Sequence, residues 1–342
     1  MLAISQRRGD AEGLSRASAL LQVIVTRPRR EHPWDRSGIV CAMSALLILF
    51  VCLALGILCR RYANLPDGIV PGINWWVLNI ALPALVLALV PHVTIDPHLW
   101  FPVAGMWITF FGSWALFATL GRVFHWTPQR IGCLTLVCGL GNTSFMGYPM
   151  MEALHGKEGL SVAVIADQLG CFPLLAAGGI IVASMYSGKG ASGAMIAKRV
   201  LTFPPFLCLV VGVIVGVLGG WPAAVDKLLM QIGQTLTPLA LFSVGLQFKL
   251  HLQRDQVGAL VAGLSWKLVL APLIALGVGL AAGVGGLILT VGVLQVAMAP
   301  MISAAILADQ HGLEPRLANT VLGAGILLSL ATIPLGNLFL PA

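Results

Sequence analysis

The chain has 342 residues, 58% of them hydrophobic and only 10% charged, with a mean hydropathy of +0.92. Soluble domains carry about a quarter charged residues, so this composition excludes one. The formal net charge is +7, and the placement of the basic residues along the chain accounts for it without a nucleic-acid partner.

Residues 1–38 form a basic tail with seven Lys/Arg (Arg7, Arg8, Arg16, Arg27, Arg29, Arg30, Arg36), for which disorder is one reading. No clean apolar stretch with a small-residue cleavage site follows, so the tail does not read as a signal peptide. Beyond it, apolar runs long enough to cross about 30 Å of hydrocarbon recur at nearly constant spacing. They cover 39–59, 70–91, 99–121, 130–152, 160–186, 201–219, 223–246, 257–281, 287–308 and 315–340. The expected fold is therefore an all-α polytopic membrane protein with ten transmembrane helices.

The loops orient these spans. Odd-numbered links carry Arg60, Arg61, Arg122, Arg130, Lys189, Lys198, Arg199, Lys249, Arg254 and Arg316, whereas even-numbered links carry only Lys157 and Lys227. The positive-inside rule puts the odd links in the cytoplasm and both termini on the outer side of a cell inner (plasma) membrane. The seven Lys/Arg of the tail run against this rule. Trp75, Trp76, Trp100, Trp126 and Trp221 fall near span ends, as an interfacial belt would. The seven cysteines (41, 52, 59, 133, 138, 171 and 208) include no CxxC pair and read as small packing residues. No metal, cofactor or nucleic acid is implied.

The second, third and fourth spans have partners in the second half. "NIALPALVLALV" (79–90) resembles "QTLTPLALFSVG" (234–245), placing Pro83 opposite Pro238. "VAGMWITFFGSW" (103–114) begins like "VAGLSWKLVLAP" (261–272), and "GYPMMEALHG" (147–156) stands against "MAPMISAAILADQHG" (298–312), with Pro149 opposite Pro300. These matches divide the chain into a first five-helix repeat over 39–186, a cytoplasmic link over 187–200 and a second repeat over 201–340. An odd number of spans per repeat inverts the second half, the architecture of secondary transporters whose broken helices meet near the bilayer midplane.

The fourth span is the weakest helix. Gly139, Gly141, Gly147, the run Asn142–Thr143–Ser144 and Pro149 all fall within eleven residues. Such a stretch is tolerable in a membrane only where protein or a watery cavity covers it. It is either a kink with interhelical polar contacts or a binding site, and the matching weakness in the ninth span favours the site. The candidate substrate-binding residues are Gly141, Asn142, Thr143, Ser144, Pro149, Met298, Pro300 and Ser303. The fourth and ninth spans are expected to be broken, and to resume as helices after Pro149 and Pro300.

Two charges lie deep. Lys267 is ten residues into the eighth span and Asp167 seven into the fifth; a central charge costs roughly 2.5–3.5 kcal/mol on insertion scales and calls for a partner or a task. Lys267 is a candidate either for attracting an anionic substrate or for neutralising carbonyl ends where broken helices cross. Asp167 is a candidate coupling site for a proton or sodium, or a hydrogen-bond partner of broken backbone. No HExxH motif occurs, and an enzyme is not expected.

"GNTSFMGYP" (141–149) and "QVAMAPMISAAILADQHG" (295–312) resemble the auxin efflux carrier family. The resemblance covers roughly 40–340 and rests most on Asn142, Thr143, Met146, Gly147 and Pro149, with Pro300, Ala308 and the His-Gly turn. It implies ten spans with both termini outside, a scaffold of spans 1, 2, 6 and 7, and a transport part of spans 3–5 and 8–10. It also implies that helices 4 and 9 cross at their prolines, and that Asn142 lies at the site for a carboxylate-bearing substrate. The long hydrophilic central loop of many plant members is missing, which points to the small organic acids assigned to bacterial relatives. The expected function is secondary transport of a small organic anion by alternating access. A proton or sodium is a candidate coupling ion, lipid the surrounding partner and a homodimer a candidate assembly. The rival readings are a cation/proton antiporter of similar inverted-repeat fold and a transporter-like ligand sensor.

Overall fold

A computed structural model describes residues 36–93, 96–188, 202–248 and 254–340. Most of the expected tail 1–38 and of the link 187–200 lies outside the described residues. Among them, regular structure is helical apart from one isolated bridge. The helices are α1 Arg36–Tyr62, α2 Ile69–His92, α3 Pro97–Val123, α4 Pro128–Gly139, α5 Thr143–Ser187, α6 Pro204–Val217, α7 Ala223–Gln247, α8 Val257–Ala281, α9 Gly286–Val296, α10 Ile302–Gln310 and α11 Pro315–Phe339. Six of these, α2, α3, α5, α7, α8 and α11, are long and apolar enough to cross a membrane, and α6 and α9 are shorter and apolar. The helix α5 bends at Gly156, whose φ of +61° and ψ of −156° only glycine adopts without strain, dividing it into 143–155 and 157–187.

Prolines shape the helices without breaking most of them. Proline has no N–H and its ring clashes with the carbonyl four residues back, and a continuing helix can relieve both by widening on the N-terminal side. A π turn does this at Val77–Ala81 before Pro83, at Thr143–Gly147 before Pro149, at Ala166–Cys171 before Pro173 and at Trp266–Leu270 before Pro272. Pro149 thus sits in the first turn of helix Tyr148–Ile165, immediately after a π turn. The expectation that the fourth span resumes only after Pro149 is corrected: helix resumes at Thr143, and the break lies at residues 140–142.

Pro300, by contrast, stands in a gap, between α9 and α10. The two gaps pair with each other. Gly141 and Pro300 form an antiparallel bridge. The Asn142 N–H donates to the Ala299 carbonyl at 2.7 Å, and the Met301 N–H donates to the Leu140 carbonyl at 3.2 Å. Backbone groups freed by the breaks therefore satisfy one another, as a lipid-buried interruption requires. The residue opposite Pro300 is Gly141, not Pro149, because glycine opens the first gap where proline opens the second.

Small residues set the closest helix contacts. At Gly56 on α1 and Gly245 on α7 the backbones touch: a β-carbon on Gly56 would lie 2.3 Å from the Phe242 carbonyl oxygen, and one on Gly245 would lie 2.3 Å from that of Leu53. Close packing through glycine is how helices associate without a hydrophobic drive.

Candidate functional site

A cavity of about 200 Å³ opens where the breaks meet. Two short segments supply its polar wall: Asn142, Ser144 and Phe145 from the start of α5, and Met301, Ile302 and Ser303 from the start of α10. Both segments are helix N-termini, which carry partial positive charge and free amides. The opposite walls are apolar, with Leu78 and Leu82 from α2 and Phe172 and Leu175 from α5. Phe203 closes the apolar side, its ring stacked on Phe172 at 3.8 Å between centroids.

Asn142 is 2% exposed, lines this cavity, and its side-chain Nδ2 has no hydrogen-bond partner. An unmade bond on a buried donor costs about 1–3 kcal/mol. The backbone of Asn142 is fully engaged, with its N–H on Ala299 and its carbonyl accepting from Gly147 at 3.0 Å. The backbone pairing therefore holds the residue in the cavity wall while its amide nitrogen is left without a partner.

Asp167 also lines the cavity and is buried. Its carboxylate accepts from the Thr143 hydroxyl on Oδ1, and on Oδ2 from the Ser144 hydroxyl at 2.8 Å, the Tyr148 hydroxyl at 2.7 Å and the Gln168 amide at 3.1 Å. Two of these donors, Thr143 and Ser144, belong to the first turn of α5, so a negative group stands at a helix N-terminus, where the peptide dipoles favour it. Lys267 does the converse. Its fully buried ammonium donates to the Val296 carbonyl at 2.9 Å, at the C-terminal end of α9.

Of the sequence-predicted residues, the cavity brings together Asn142, Ser144, Ser303 and Asp167. Gly141 and Pro300 form the bridge beneath it, and Thr143 turns to Asp167. Met298, Pro149 and Lys267 are buried but are not in its lining. Among the described residues, no group of three or more His, Cys, Asp or Glu converges to hold a metal.

Three residues escaped the sequence reading. Tyr148 and Gln168 complete the shell around Asp167, and their adjacency to Pro149 and Asp167 was the available signal. Gln295 is the third: it is fully buried, neither its Oε1 nor its Nε2 has a partner, and a β-carbon on Gly147 would lie 2.5 Å from its Oε1. An amide three residues before Met298 in an otherwise apolar helix was the only hint in the sequence.

A family model described as membrane transport protein, that of the auxin efflux carriers, matches residues 41–336. The chain belongs to this family. It is similar to an uncharacterized transporter of Methanothermobacter thermautotrophicus, 26% identical over 305 residues that cover 86% of this chain and 97% of the relative. It is also similar to the uncharacterized transporter YfdV of Escherichia coli, 26% identical over 307 residues covering 85% and 95%. The protein is thus a membrane transporter of the auxin efflux carrier family, a family of carriers and not of enzymes.

Proposed function

We propose that this chain is a secondary transporter that moves a small organic anion, a carboxylate, across the cytoplasmic membrane by alternating access. The observation that carries the reading is the unpartnered Asn142 amide in the wall of a cavity formed by two helix N-termini. An amide N–H donor between two positive dipole ends is complementary to a carboxylate oxygen. Ser144 and Ser303 add hydroxyls, and the Leu78, Leu82 and Phe172 wall suits the carbon body of an acid.

The architecture proposed with it is ten spans in two inverted five-helix repeats, with both termini outside. Lining residues support the repeat: Asn142 and Met301, like Ser144 and Ser303, are related by the same offset as Gly141 and Pro300, which is 300 − 141 = 159. In this reading Lys267 is a structural charge that caps α9 and does not touch the substrate. A cation/proton antiporter is the rival reading, favoured by Asp167 in the same wall; its carboxylate, however, already accepts from four donors, which leaves a cation few lone pairs.

Purified protein in liposomes tests the carrier reading against a sensor. A carrier catalyses net flux of a radiolabelled carboxylate above protein-free vesicles. A protein that binds the acid in a thermal-shift assay without moving it contradicts transport.

A further inference from the structure

We propose that Asp167 is the proton-binding group that couples anion transport to the proton gradient, one proton per carboxylate, with the Ser144 hydroxyl passed from Asp167 to the substrate in the same step. This rests on the anion-carrier reading above. It adds the coupling ion and the residue that carries it.

Three observations converge. First, Asp167 is the one ionisable side chain in the cavity lining, so a carboxylate entering the cavity meets a carboxylate in a small, apolar-walled space. Two like charges at that range repel strongly when water is excluded. A proton on Asp167 removes the conflict. Second, among the described residues packed against Asp167, no cation stands ready to do so instead. The ionisable groups beside Asp167 on its own segment are the Tyr148 phenol and the Cys171 thiol, and the latter donates to the Gly141 carbonyl at 3.3 Å. The packed helix α3 contributes no ionisable side chain between Trp100 and Gly121, and α6 only the thiol of Cys208. The Lys267 ammonium is turned to Val296.

Third, the hydrogen-bond count sets the consequence of protonation. Oδ2 accepts from Ser144, Tyr148 and Gln168, one more than its two lone pairs comfortably hold. A proton added there displaces a donor. Of the three, Ser144 lines the cavity, so its hydroxyl is the one free to turn toward a bound acid. The proton comes from water on one side as an O–H bond forms on Oδ2, and it returns to water on the other side when the anion leaves and Ser144 swings back. No net charge crosses with a monoanion. The shell of hydrogens around the carboxylate, the Gln168 amide included, suits this exchange and disfavours sodium, which needs lone pairs. By linkage, a proton that favours anion binding is itself favoured by the anion, so apparent affinity rises as pH falls, by at most tenfold per unit.

The test uses the full chain in liposomes with a trapped pH dye, and lactate, pyruvate and succinate as probes, with protein-free vesicles as the blank. The inference expects lactate or pyruvate uptake to carry one proton each, to be driven by an inward proton gradient without sodium, and to ignore an imposed membrane potential. Asp167→Asn should abolish gradient-driven accumulation and flatten the pH dependence of thermal-shift binding. Ser144→Ala should keep the one-to-one proton count while weakening the anion several-fold at low pH. Carboxylate uptake with no proton movement, or with a sodium requirement, overturns the inference and leaves the carrier reading standing; this wild-type measurement decides even if Asp167→Asn fails to fold. Wild-type pH dependence in a folded Asp167→Asn also overturns it. No uptake of any probe above the blank sinks both readings.

Discussion

The ring of Pro300 rests on Gly325: a β-carbon added to the glycine would lie 2.3 Å from Cδ and 2.7 Å from Cγ. The ring is rigid and sits in the gap that pairs with Gly141, so it has nowhere to yield. Gly325→Ala is expected to lower stability by about 1–3 kcal/mol through overpacking, read as a fall in melting temperature of the purified protein. An unchanged melting temperature would mean that α11 does not press on the break.

Lys267 can be tested apart from the substrate. Lys267→Met keeps the length of the side chain and removes the donor to Val296. Losing a charged hydrogen bond at a helix C-terminus should cost about 1.5–3 kcal/mol of stability. The fraction that folds should bind carboxylates with unchanged affinity, because Lys267 is not in the cavity lining. A folded variant with tenfold weaker anion binding would return Lys267 to the role of direct attraction.

The two prolines that look alike in sequence should behave differently. Pro149 follows a π turn within a continuing helix, whereas Pro300 stands in the gap itself. Pro149→Ala is expected to leave carboxylate affinity within about twofold, and Pro300→Ala to weaken it at least tenfold, or about 1.4 kcal/mol. Equal effects of the two would argue that both mark the break.

This pair also shows how far the sequence was legible. Composition and loop charge pointed to a membrane-embedded helical chain, and the polar run at 142–144 marked a stretch that lines the cavity, because hydrophobic length and misplaced polar residues are local signals. The exact break was not legible. Proline is the conspicuous helix breaker, so aligning Pro149 with Pro300 looked natural. A π turn absorbs Pro149, while Gly141, conspicuous only among many glycines, opens the chain. The shell around Asp167 was partly hidden for another reason: Gln168 stands beside it in sequence, but Tyr148 reaches it only once α5 bends back at Gly156. Lys267 could be placed at depth from the sequence, but its orientation toward a carbonyl depends on packing between helices distant in the chain.

Gln295 offers a test of a residue that the sequence did not mark. Its amide is buried with neither end paired, next to Gly147. Gln295→Met keeps the linear shape and removes two unmet polar atoms, so stability should be unchanged or higher by about 1 kcal/mol in thermal melts. A loss of more than about 1 kcal/mol would show that the amide has partners, such as ordered water, in the folded protein.

The most direct test of the account is the carboxylate affinity of Asn142→Ala, measured by binding and by uptake in the same liposomes. Asn142 lines the cavity, its amide nitrogen has no partner, and its backbone is held by Ala299 and Gly147, so truncation removes a donor and leaves the crossing intact. Loss of one hydrogen bond to a charged ligand should cost about 1.5–3 kcal/mol, roughly ten- to a hundredfold in affinity. The account predicts a folded variant with wild-type melting behaviour and at least tenfold weaker carboxylate binding and uptake. A folded Asn142→Ala protein that carries its acid with wild-type affinity would contradict it and place the substrate elsewhere.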